Sequence, residues 1–203
     1  GWMMFDFHAG EQTVEFAWQI PGTHNVENAT AAIAVLHNLG ADFSAIQEGI
    51  SSFKGIKRRY TKHTFENGKI YVDDYAHHPT ELNAVIGSIR TFNPNKKLLV
   101  AFQPHLFSRT RDFADGFAES LAAADELLLL DIYPARELQK DFEGVTSDWL
   151  LEKVQLEKKE VCSLSEAFDK IKEKDFNILL TVGAGNIDTL YDPIMNWIGT
   201  LKN

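Results

Sequence analysis

The fold of this chain is decided by one stretch of its sequence, IYVDDYAHHPTELNAVIGSIRTF at residues 70–92. The stretch begins with three apolar residues typical of a buried strand, passes through a polar loop, and continues with the periodicity of a helix. Pro79 suits the first position of that helix, since a proline there loses no hydrogen bond. Apolar residues at helical spacing predict the core-facing side of the helix: Leu82, Val85, Ile86 and Ile89.

The same strand-then-helix order repeats downstream. Before this alternation begins, the sequence predicts a hairpin, with its turn at Asn67-Gly68 and its arms at Arg59–Phe65 and Lys69–Asp73. Further strands are predicted at Leu98–Phe102, Glu126–Asp131, Val161–Cys162 and Phe176–Val182, and helices at Ser108–Ala123, Ser147–Val154, Ser165–Lys172 and Ile187–Ile198. This alternation predicts an α/β fold, a Rossmann-like and mostly parallel sheet with helices on both faces.

The beginning of the chain has a different pattern. Apolar runs at Trp2–Phe7 and Thr13–Ile20 predict a β-hairpin. A helix is predicted over Glu27–Leu39, with its core side formed by Ala32, Ile33, Leu36 and Leu39. Ser44 and Gln47 predict a capping box for a second helix that ends at Ile50. We therefore expect two domains, residues 1–52 and 53–203, and the strand-like start leads us to expect an excised piece of a longer protein.

The composition narrows the class of protein. In this chain of 203 residues, a formal net charge of −9 argues against a general nucleic-acid surface but allows a local basic site for phosphates. No apolar run approaches the roughly 18 residues of a membrane span, and the start lacks the basic region of a signal peptide. Cys162 is the single cysteine, which excludes an internal disulfide, fits a reducing cytoplasm and predicts a buried, inert thiol.

Four polar segments follow predicted strands, where α/β sheets bind their ligands. They are residues 73–79, 103–109, 133–137 and 183–186. We expect them to meet, because the carboxyl ends of parallel strands share one edge of a sheet. Gly183 and Gly185 are consistent either with a tight turn or with backbone N–H groups that receive an anion.

Three arginines, at two places in the sequence, are considered as candidates for binding anions. Arg58 and Arg59 are either an exposed pair on an edge strand or include a bidentate contact to a phosphate. Arg109 lies near the start of a predicted helix, where a cation is locally unfavourable. That mismatch favours a role for Arg109 in binding a carboxylate or phosphate.

Polar side chains near two other helix starts have two interpretations each. Asn25 and Asn28 lie three residues apart, so one is an ordinary N-cap or the two together read the edge of an adenine. Asp74 or His78 would cap the helix at Pro79, and a carboxylate at a strand end also suits a ribose.

These segments, in this order, resemble the Mur ligase family. The similar segments are GTHNVENA at 22–29, FKGIKRRY at 53–60, DDYAHHPTE at 73–81, FQPH at 102–105, SRT at 108–110, YPARE at 133–137 and GAG at 183–185. They span nearly the whole chain. The runs at 73–79 and 102–105 are most similar to those of the family member that adds L-alanine.

The resemblance implies an ATP-dependent acid–amino-acid ligase that uses Mg²⁺ and joins L-alanine to UDP-N-acetylmuramate in peptidoglycan synthesis. Residues 1–52 would be the end of the central ATP-binding domain, and residues 53–203 the C-terminal Rossmann-like domain. The phosphate-binding loop and the magnesium ligands would lie upstream, with the remaining domains of the same protein. This chain alone would therefore be inactive.

The resemblance also implies roles for particular residues. The ATP contacts would be His24, Asn25, Asn28, Arg59 and Asp74. The contacts to L-alanine would be Tyr75, His105 and Arg109, and the catalytic residues would be Arg59, His105 and Arg109. Leu106 departs from the pattern, since many relatives have arginine there, so one cationic contact is missing or supplied elsewhere.

Three alternatives have a basis in the sequence. A ligase that attaches a recycled murein peptide to the same sugar nucleotide shares the run at 73–79. A non-catalytic nucleotide-binding module would share Asn25, Asn28 and Asp74. A metal-dependent hydrolase would use His77, His78, His105 and Asp74, although no cysteine or third histidine lies at a familiar metal spacing.

Overall fold

The structure, a computed structural model, describes residues 2–20 and 22–201, except for the side chain of His24. The chain forms two compact units, Gly1–Ile56 and Lys57–Asn203. The domain boundary expected from the sequence lies at residues 52 and 53.

The first unit contains a hairpin and two helices, as predicted. Its elements are β1 (Met3–Ala9), β2 (Gln12–Trp18), α1 (Thr23–Asn38) and α2 (Phe43–Ser52). The two strands are antiparallel, and Gly10 has a φ of 63° in the turn between them. Phe16, Ile33 and Ile46 are buried at the centre of the unit. Each comes from a different element, so the core joins the hairpin to both helices.

Helix α1 corrects two predictions. It begins at Thr23, one turn before the predicted start, and its N-cap is Gly22, so neither Asn25 nor Asn28 caps it. Of the predicted core stripe only Ile33 is buried, because α1 packs on the hairpin through the side that carries Ala29 and Ile33. Leu36 and Leu39 lie on another side of the helix, with exposed fractions of 42% and 79%.

The cap of α2 is also different from the prediction. Asp42, not Ser44, precedes the helix in an extended conformation, and its carboxylate accepts a hydrogen bond from the Ser44 N–H. The Gln47 side chain donates to the carbonyl of Glu15 instead of closing a capping box. Asp and Ser are both good N-caps, so the residue types alone did not distinguish the two starts.

The second unit is built on a six-stranded sheet in the order β3-β4-β8-β5-β6-β7. All neighbouring strands are parallel except β3, which pairs with β4 in the predicted hairpin. The strands are β3 (Thr61–Thr64), β4 (Ile70–Asp74), β5 (Leu98–Phe102), β6 (Glu126–Leu130), β7 (Lys159–Cys162) and β8 (Ile178–Val182). The mostly parallel α/β sheet predicted from the sequence is therefore confirmed.

Helices cover both faces of this sheet. The helices of the unit are α3 (Pro79–Phe92), α4 (Phe107–Asp112), α5 (Ala114–Leu121), α6 (Ser147–Lys153), α7 (Leu164–Glu173) and α8 (Tyr191–Thr200). Helices α3, α5 and α6 share one core with Val72 and Val100, whereas α7 and α8 share the other with Tyr71 and Leu99. Parallel strands between two helical layers have no solvent-facing side, which explains their nearly continuous apolar runs.

Helix α3 and Cys162 are as predicted. His78 is the N-cap of α3 and Pro79 its first residue, and the predicted stripe of Leu82, Val85, Ile86 and Ile89 is buried. Cys162 is buried at the end of β7, and burial raises the pKa of its thiol to about 11. Such a thiol stays protonated at neutral pH and is a poor nucleophile.

Two predicted helices are each divided in the structure. The helix predicted over Ser108–Ala123 is α4 and α5, which meet at Phe113, where φ is −117° and ψ is 19°. The final helix begins as a 3₁₀ turn over Asn186–Leu190 and continues as α8. Phe113 gave no signal of the first break, whereas Pro193, in the first turn of α8, is a residue that favours a helix start and is consistent with the second.

Strand β8 creates the crevice in which a ligand of this fold is expected. The chain leaves β4 and β5 toward helices on one face of the sheet, but leaves β8 toward α8 on the opposite face. The connections therefore diverge on both sides of β8, at the carboxyl ends of the strands. Such a point is the usual ligand site of an open α/β sheet.

The turn after β8 packs closely against Gln103. Gln103 is 3% exposed, and its side-chain oxygen accepts a hydrogen bond from the Ile187 N–H at 2.9 Å. A Cβ added at Gly183 would lie 2.6 Å from the carbonyl oxygen of Gln103, and Gly183 has a φ of 147°. The structure thus favours the tight-turn interpretation of these glycines, because the protein's own glutamine occupies the turn.

We expect Gly183→Ala to reduce the free energy of unfolding by about 3 kcal/mol, since it combines backbone strain with a clash against fixed backbone. Gly87, on the exposed side of α3, is the control, because no described atom lies within 4 Å of an added Cβ there. Gly87→Ala should stabilise the protein by roughly 0.5–1 kcal/mol. Urea denaturation measures both, and equal effects would contradict the packing argument.

Candidate active site

Hydrogen bonds join all four polar loops at the carboxyl edge of the sheet. The Gly183 N–H donates to the carbonyl of Asp74 at 3.2 Å, and the Gln103 N–H donates to the carbonyl of Val182 at 3.0 Å. The Tyr133 N–H donates to the carbonyl of Pro104 at 2.8 Å. The loops that follow β4, β8, β5 and β6 therefore form one continuous surface, as the sequence predicted.

Two adjacent carboxylates are buried at the end of β4. Asp73 is 1% exposed and accepts a hydrogen bond from the Thr181 hydroxyl at 2.8 Å. Asp74 is 8% exposed and accepts from the backbone N–H groups of Tyr60 and Ala76, each at 2.7 Å. Burial raises the pKa of both carboxyls, although these hydrogen bonds oppose the shift.

The sequence suggested Asp74 as a ribose contact, and the structure gives it a second task. By binding Tyr60 on one side and Ala76 on the other, its carboxylate ties the segment before β3 to the loop after β4. A carboxylate has about four lone-pair positions, so two hydrogen bonds leave acceptor capacity. The ribose contact stays a prediction.

Arg58 and Arg59 are held in opposite ways. The Arg58 guanidinium turns inward, donating to the carbonyl of Gly183 at 2.6 Å and lying 3.4 Å from the Asp188 carboxylate. The Arg59 side chain is 53% exposed, and its one ion pair with a described residue, Glu81, is 4.0 Å long. Arg59 is thus the member of the pair whose N–H groups face solvent and are available to an anion.

An aromatic and cationic cluster extends from Arg59 across the edge of the sheet. The Arg59 guanidinium lies 5.5 Å from the ring centre of Tyr75, and the Tyr75 ring contacts His77 edge-on at 5.3 Å. His77 in turn lies 6.1 Å from His105, measured between ring centres. The Arg109 guanidinium donates to His105 Nδ1 at 3.3 Å. The structure thus brings together Arg59, Tyr75, His105 and Arg109, each a candidate from the sequence.

His105 is held as a neutral ring with a defined tautomer. Arginine can only donate, so Nδ1 of His105 must accept the bond from Arg109, and the ring proton lies on Nε2. Partial burial lowers the pKa of His105, and the positive charge of Arg109 lowers it further. Between the two residues, Leu106 is buried at 7% exposure with a φ of 73°, so its side chain packs inside the protein.

The other candidate residues lie in the first unit. Asn25 and Asn28 occupy the first turns of α1, and their spacing places them on one side of it, as predicted. Asn25 is half-buried and Asn28 is exposed. The side chain of His24 lies outside the described residues.

Three further residues belong to the cluster; the sequence gave Tyr133 and Glu137 no separate role, and His77 only that of a ligand in the metal alternative. His77 lies between Tyr75 and His105, the Tyr133 ring stacks on His105 at 5.6 Å, and Glu137 binds Ser108 beside Arg109. All three belong to loops that follow strands, which is the one signal in the sequence that pointed to them.

The metal interpretation required His77, His78, His105 and Asp74 to converge. His77 faces Tyr75 and His105, whereas His78 accepts from the Thr80 N–H and packs on Phe113. In the described part of the chain, no three His, Cys, Asp or Glu side chains group in a way that could hold a metal ion.

Among the described residues, no helix has the length and apolar character needed to cross a membrane.

Comparisons with known proteins identify a family that this chain matches. A family model described as the Mur ligase, glutamate ligase domain matches residues 58–185. The chain is similar to the UDP-N-acetylmuramate--L-alanine ligase of Flavobacterium psychrophilum, with 45% identity over 188 residues, 92% of this chain and 42% of that protein. It is 49% identical to the ligase of that name from Cytophaga hutchinsonii over 177 residues, 87% of this chain and 37% of that protein.

A solved structure agrees with these matches. The UDP-N-acetylmuramate-alanine ligase of Thermotoga maritima has a TM-score of 0.74 and 28% identity, covering 95% of this chain and 42% of that one. The chain thus spans less than half the length of each of these relatives.

We expect stability to fall on acidification because of His105. Its pKa in the folded protein lies below the ordinary value of 6.5, so the unfolded chain binds the proton first as the pH falls. The free energy of unfolding should therefore decrease below about pH 6.5. Urea denaturation at pH 7.5 and 5.5 measures the decrease, which should be smaller in His105→Gln. An equal decrease in both proteins would remove His105 as its source.

Proposed function

Because the chain belongs to the Mur ligase family, we propose that it is the C-terminal part of an ATP-dependent ligase that joins L-alanine to UDP-N-acetylmuramate. Relatives that are 45% and 49% identical carry the name of that activity. The reaction would supply a peptidoglycan precursor in the cytoplasm. Residues 1–52 would belong to the central ATP-binding domain, and residues 53–203 would be the C-terminal domain.

The observation that carries the proposal is the pairing of Arg109 with His105. Arg109 is half-buried and, among the described residues, no carboxylate forms an ion pair with it. A partly desolvated arginine without a carboxylate favours an anionic ligand, and arginine binds carboxylates with two parallel hydrogen bonds. One of its N–H groups reaches His105 and the others are available to the carboxylate of the amino acid.

The neutral state of His105 suits an amine nucleophile. The amino group of alanine must be uncharged to attack the acyl phosphate formed from the sugar's carboxyl group. A protonated imidazole would add repulsion against an ammonium group entering beside Arg109, and burial opposes that protonation. Tyr75 and His105 would border the amino acid, so this chain would contribute positioning and charge compensation without a covalent intermediate.

Arg59 would contact the phosphates of ATP. Its exposed guanidinium lies over Tyr75 with one long ion pair, so a phosphate need displace only a weak partner. In the first unit, Asn25 and Asn28 would contact the adenine, with His24 nearby, and Asp74 would contact the ribose. The ligands of Mg²⁺ would lie elsewhere in the longer protein.

Assays of the longer protein and of this chain test the proposal. Given ATP, Mg²⁺, UDP-N-acetylmuramate and L-alanine, the longer protein should form the product and this chain alone should not. Turnover by this chain would overturn the fragment assignment. Preference of the longer protein for a murein peptide over alanine would favour the recycling ligase. ATP or ADP binding by this chain in calorimetry, with no ligation by the longer protein, would favour a non-catalytic nucleotide-binding module.

In the longer protein, Arg109→Ala should reduce kcat/KM for alanine by roughly 2–4 kcal/mol in transition-state terms, because it leaves the substrate carboxylate without its partner. The control is Arg111→Ala, two residues along the same helix. The Arg111 side chain is exposed and pairs with Asp112, so kcat/KM should stay within about twofold. Steady-state kinetics with alanine as the varied substrate measure both, and equal effects would exclude Arg109 from the site.

A further inference from the structure

Helix α4 begins without a cap of its own. Its N-cap position is Leu106, which has an apolar side chain and makes no side-chain capping bond. The cap comes from a different loop, since Glu137 accepts a hydrogen bond from the Ser108 N–H at 3.0 Å and another from the Ser108 hydroxyl. Although partial burial opposes ionisation, these bonds hold the pKa of Glu137 below its ordinary value. An ionised carboxylate at a helix start is favoured both as a hydrogen-bond acceptor and by the helix dipole.

The loop that supplies Glu137 is attached to the loop that carries His105. The Leu106 N–H donates to the carbonyl of Tyr133 at 2.9 Å, and the Tyr133 ring stacks on His105 at an angle of 21°. The chain then turns through Ala135, whose φ is 49°, and the Glu137 N–H donates to the carbonyl of Pro134. This turn returns the Glu137 side chain to the start of α4.

The residues held by these contacts are the two that would bind the amino acid. Arg109 directly follows Ser108 in the first turn of α4, and its guanidinium reaches back to His105. Tyr133 holds the His105 ring, and Glu137 holds the turn that presents Arg109. Removing the Glu137 carboxylate would free the Ser108 N–H and hydroxyl and loosen the turn between His105 and Arg109.

We infer that Glu137 is a positioning residue, which sets the geometry of the Arg109–His105 pair for the carboxylate of the amino-acid substrate. The inference rests on the proposed function for the identity of that substrate. Glu137 acts through Ser108, whose N–H and hydroxyl each donate to one of its carboxylate oxygens.

The chain contains a matched control for this contact. Ser163 and Glu166 form the same serine–glutamate pair at the start of α7, where the Ser163 N–H and hydroxyl both donate to Glu166 at 2.9 and 2.6 Å. That pair follows β7, an edge strand of the sheet, which is two strands from β5. Glu166→Ala therefore removes equivalent chemistry from a helix start without touching the loops that carry His105 and Arg109.

Kinetics of the longer protein give the first test. Glu137→Ala should raise KM for the amino acid by about tenfold, because small displacements of positioning groups are costly, and should leave KM for ATP within about twofold. Ser108→Ala combined with Glu137→Ala should be no worse than Glu137→Ala alone, since the two changes remove one contact. Glu166→Ala should change neither KM. An unchanged KM for the amino acid in Glu137→Ala would overturn the inference.

Nuclear magnetic resonance of this 203-residue chain gives a second test that needs no enzymatic activity. With ¹⁵N-labelled histidine, the His105 signals, assigned from His105→Gln, should show the proton on Nε2 at neutral pH. Glu137→Ala should convert them to a mixture of tautomers, and Glu166→Ala should not. Glu137→Gln, which retains an acceptor oxygen for the Ser108 N–H, should be intermediate and serves if the alanine variant fails to fold.

The two measurements separate failure of this inference from failure of the proposed function. If Glu137→Ala releases the His105 tautomer while the wild-type longer protein ligates no amino acid, the proposed function is wrong and the positioning contact stands. If the tautomer is unchanged in both Glu137 variants, Glu137 does not position His105 and Arg109, whatever the activity of the longer protein.

Discussion

The candidate site depends on the burial of two adjacent carboxylates, Asp73 and Asp74. Burying a charge without partners is very unfavourable, so the surrounding chain must supply hydrogen bonds and opposite charge. Thr181 and Arg58 supply them to Asp73, and the backbone N–H groups of Tyr60 and Ala76 supply them to Asp74. These partners come from three separate segments, which the carboxylates thereby hold together at the carboxyl edge of the sheet.

The burial of these two carboxylates is accompanied by different environments for the neighbouring residues Arg58 and Arg59. Arg58 turns inward toward Asp73, Asp188 and Gly183, whereas the adjacent Arg59 is half exposed; the two guanidinium groups lie 5.0 and 5.5 Å from the ring centre of Tyr75. Arg58 and Tyr60 both have positive φ, at 62° and 51°, a conformation that is uncommon for such residues. The backbone at residues 58–60 is held in this conformation by the contacts of Arg58 and by the bond from Tyr60 to Asp74. The same contacts leave the Arg59 side chain exposed.

The sequence predicted the sheet well because its strands and helices have clear periodicities. The limits of α3 and β5 agree with the structure to the residue, and the loops at the carboxyl edge were correctly identified. The core stripe of α1 was wrong, since periodicity shows that a helix has an apolar side but not which side meets the hairpin. The opposite orientations of Arg58 and Arg59, and the bond between Glu137 and Ser108, depend on contacts between distant residues, which no local pattern records.

The position of β8 has a consequence for the order in which this unit forms. Along the chain β8 comes after the other five strands of this sheet, yet it lies between β4 and β5, which have no direct pairing with each other. Until β8 is synthesised, residues 61–162 therefore supply two separate groups of strands, β3-β4 and β5-β6-β7, with unpaired edges that residues 178–182 join. Thr181 and Gly183, which bind Asp73 and Arg58, arrive with the same strand. The pairing of the sheet and the contacts of the candidate site are consequently completed in one step, by the arrival of β8.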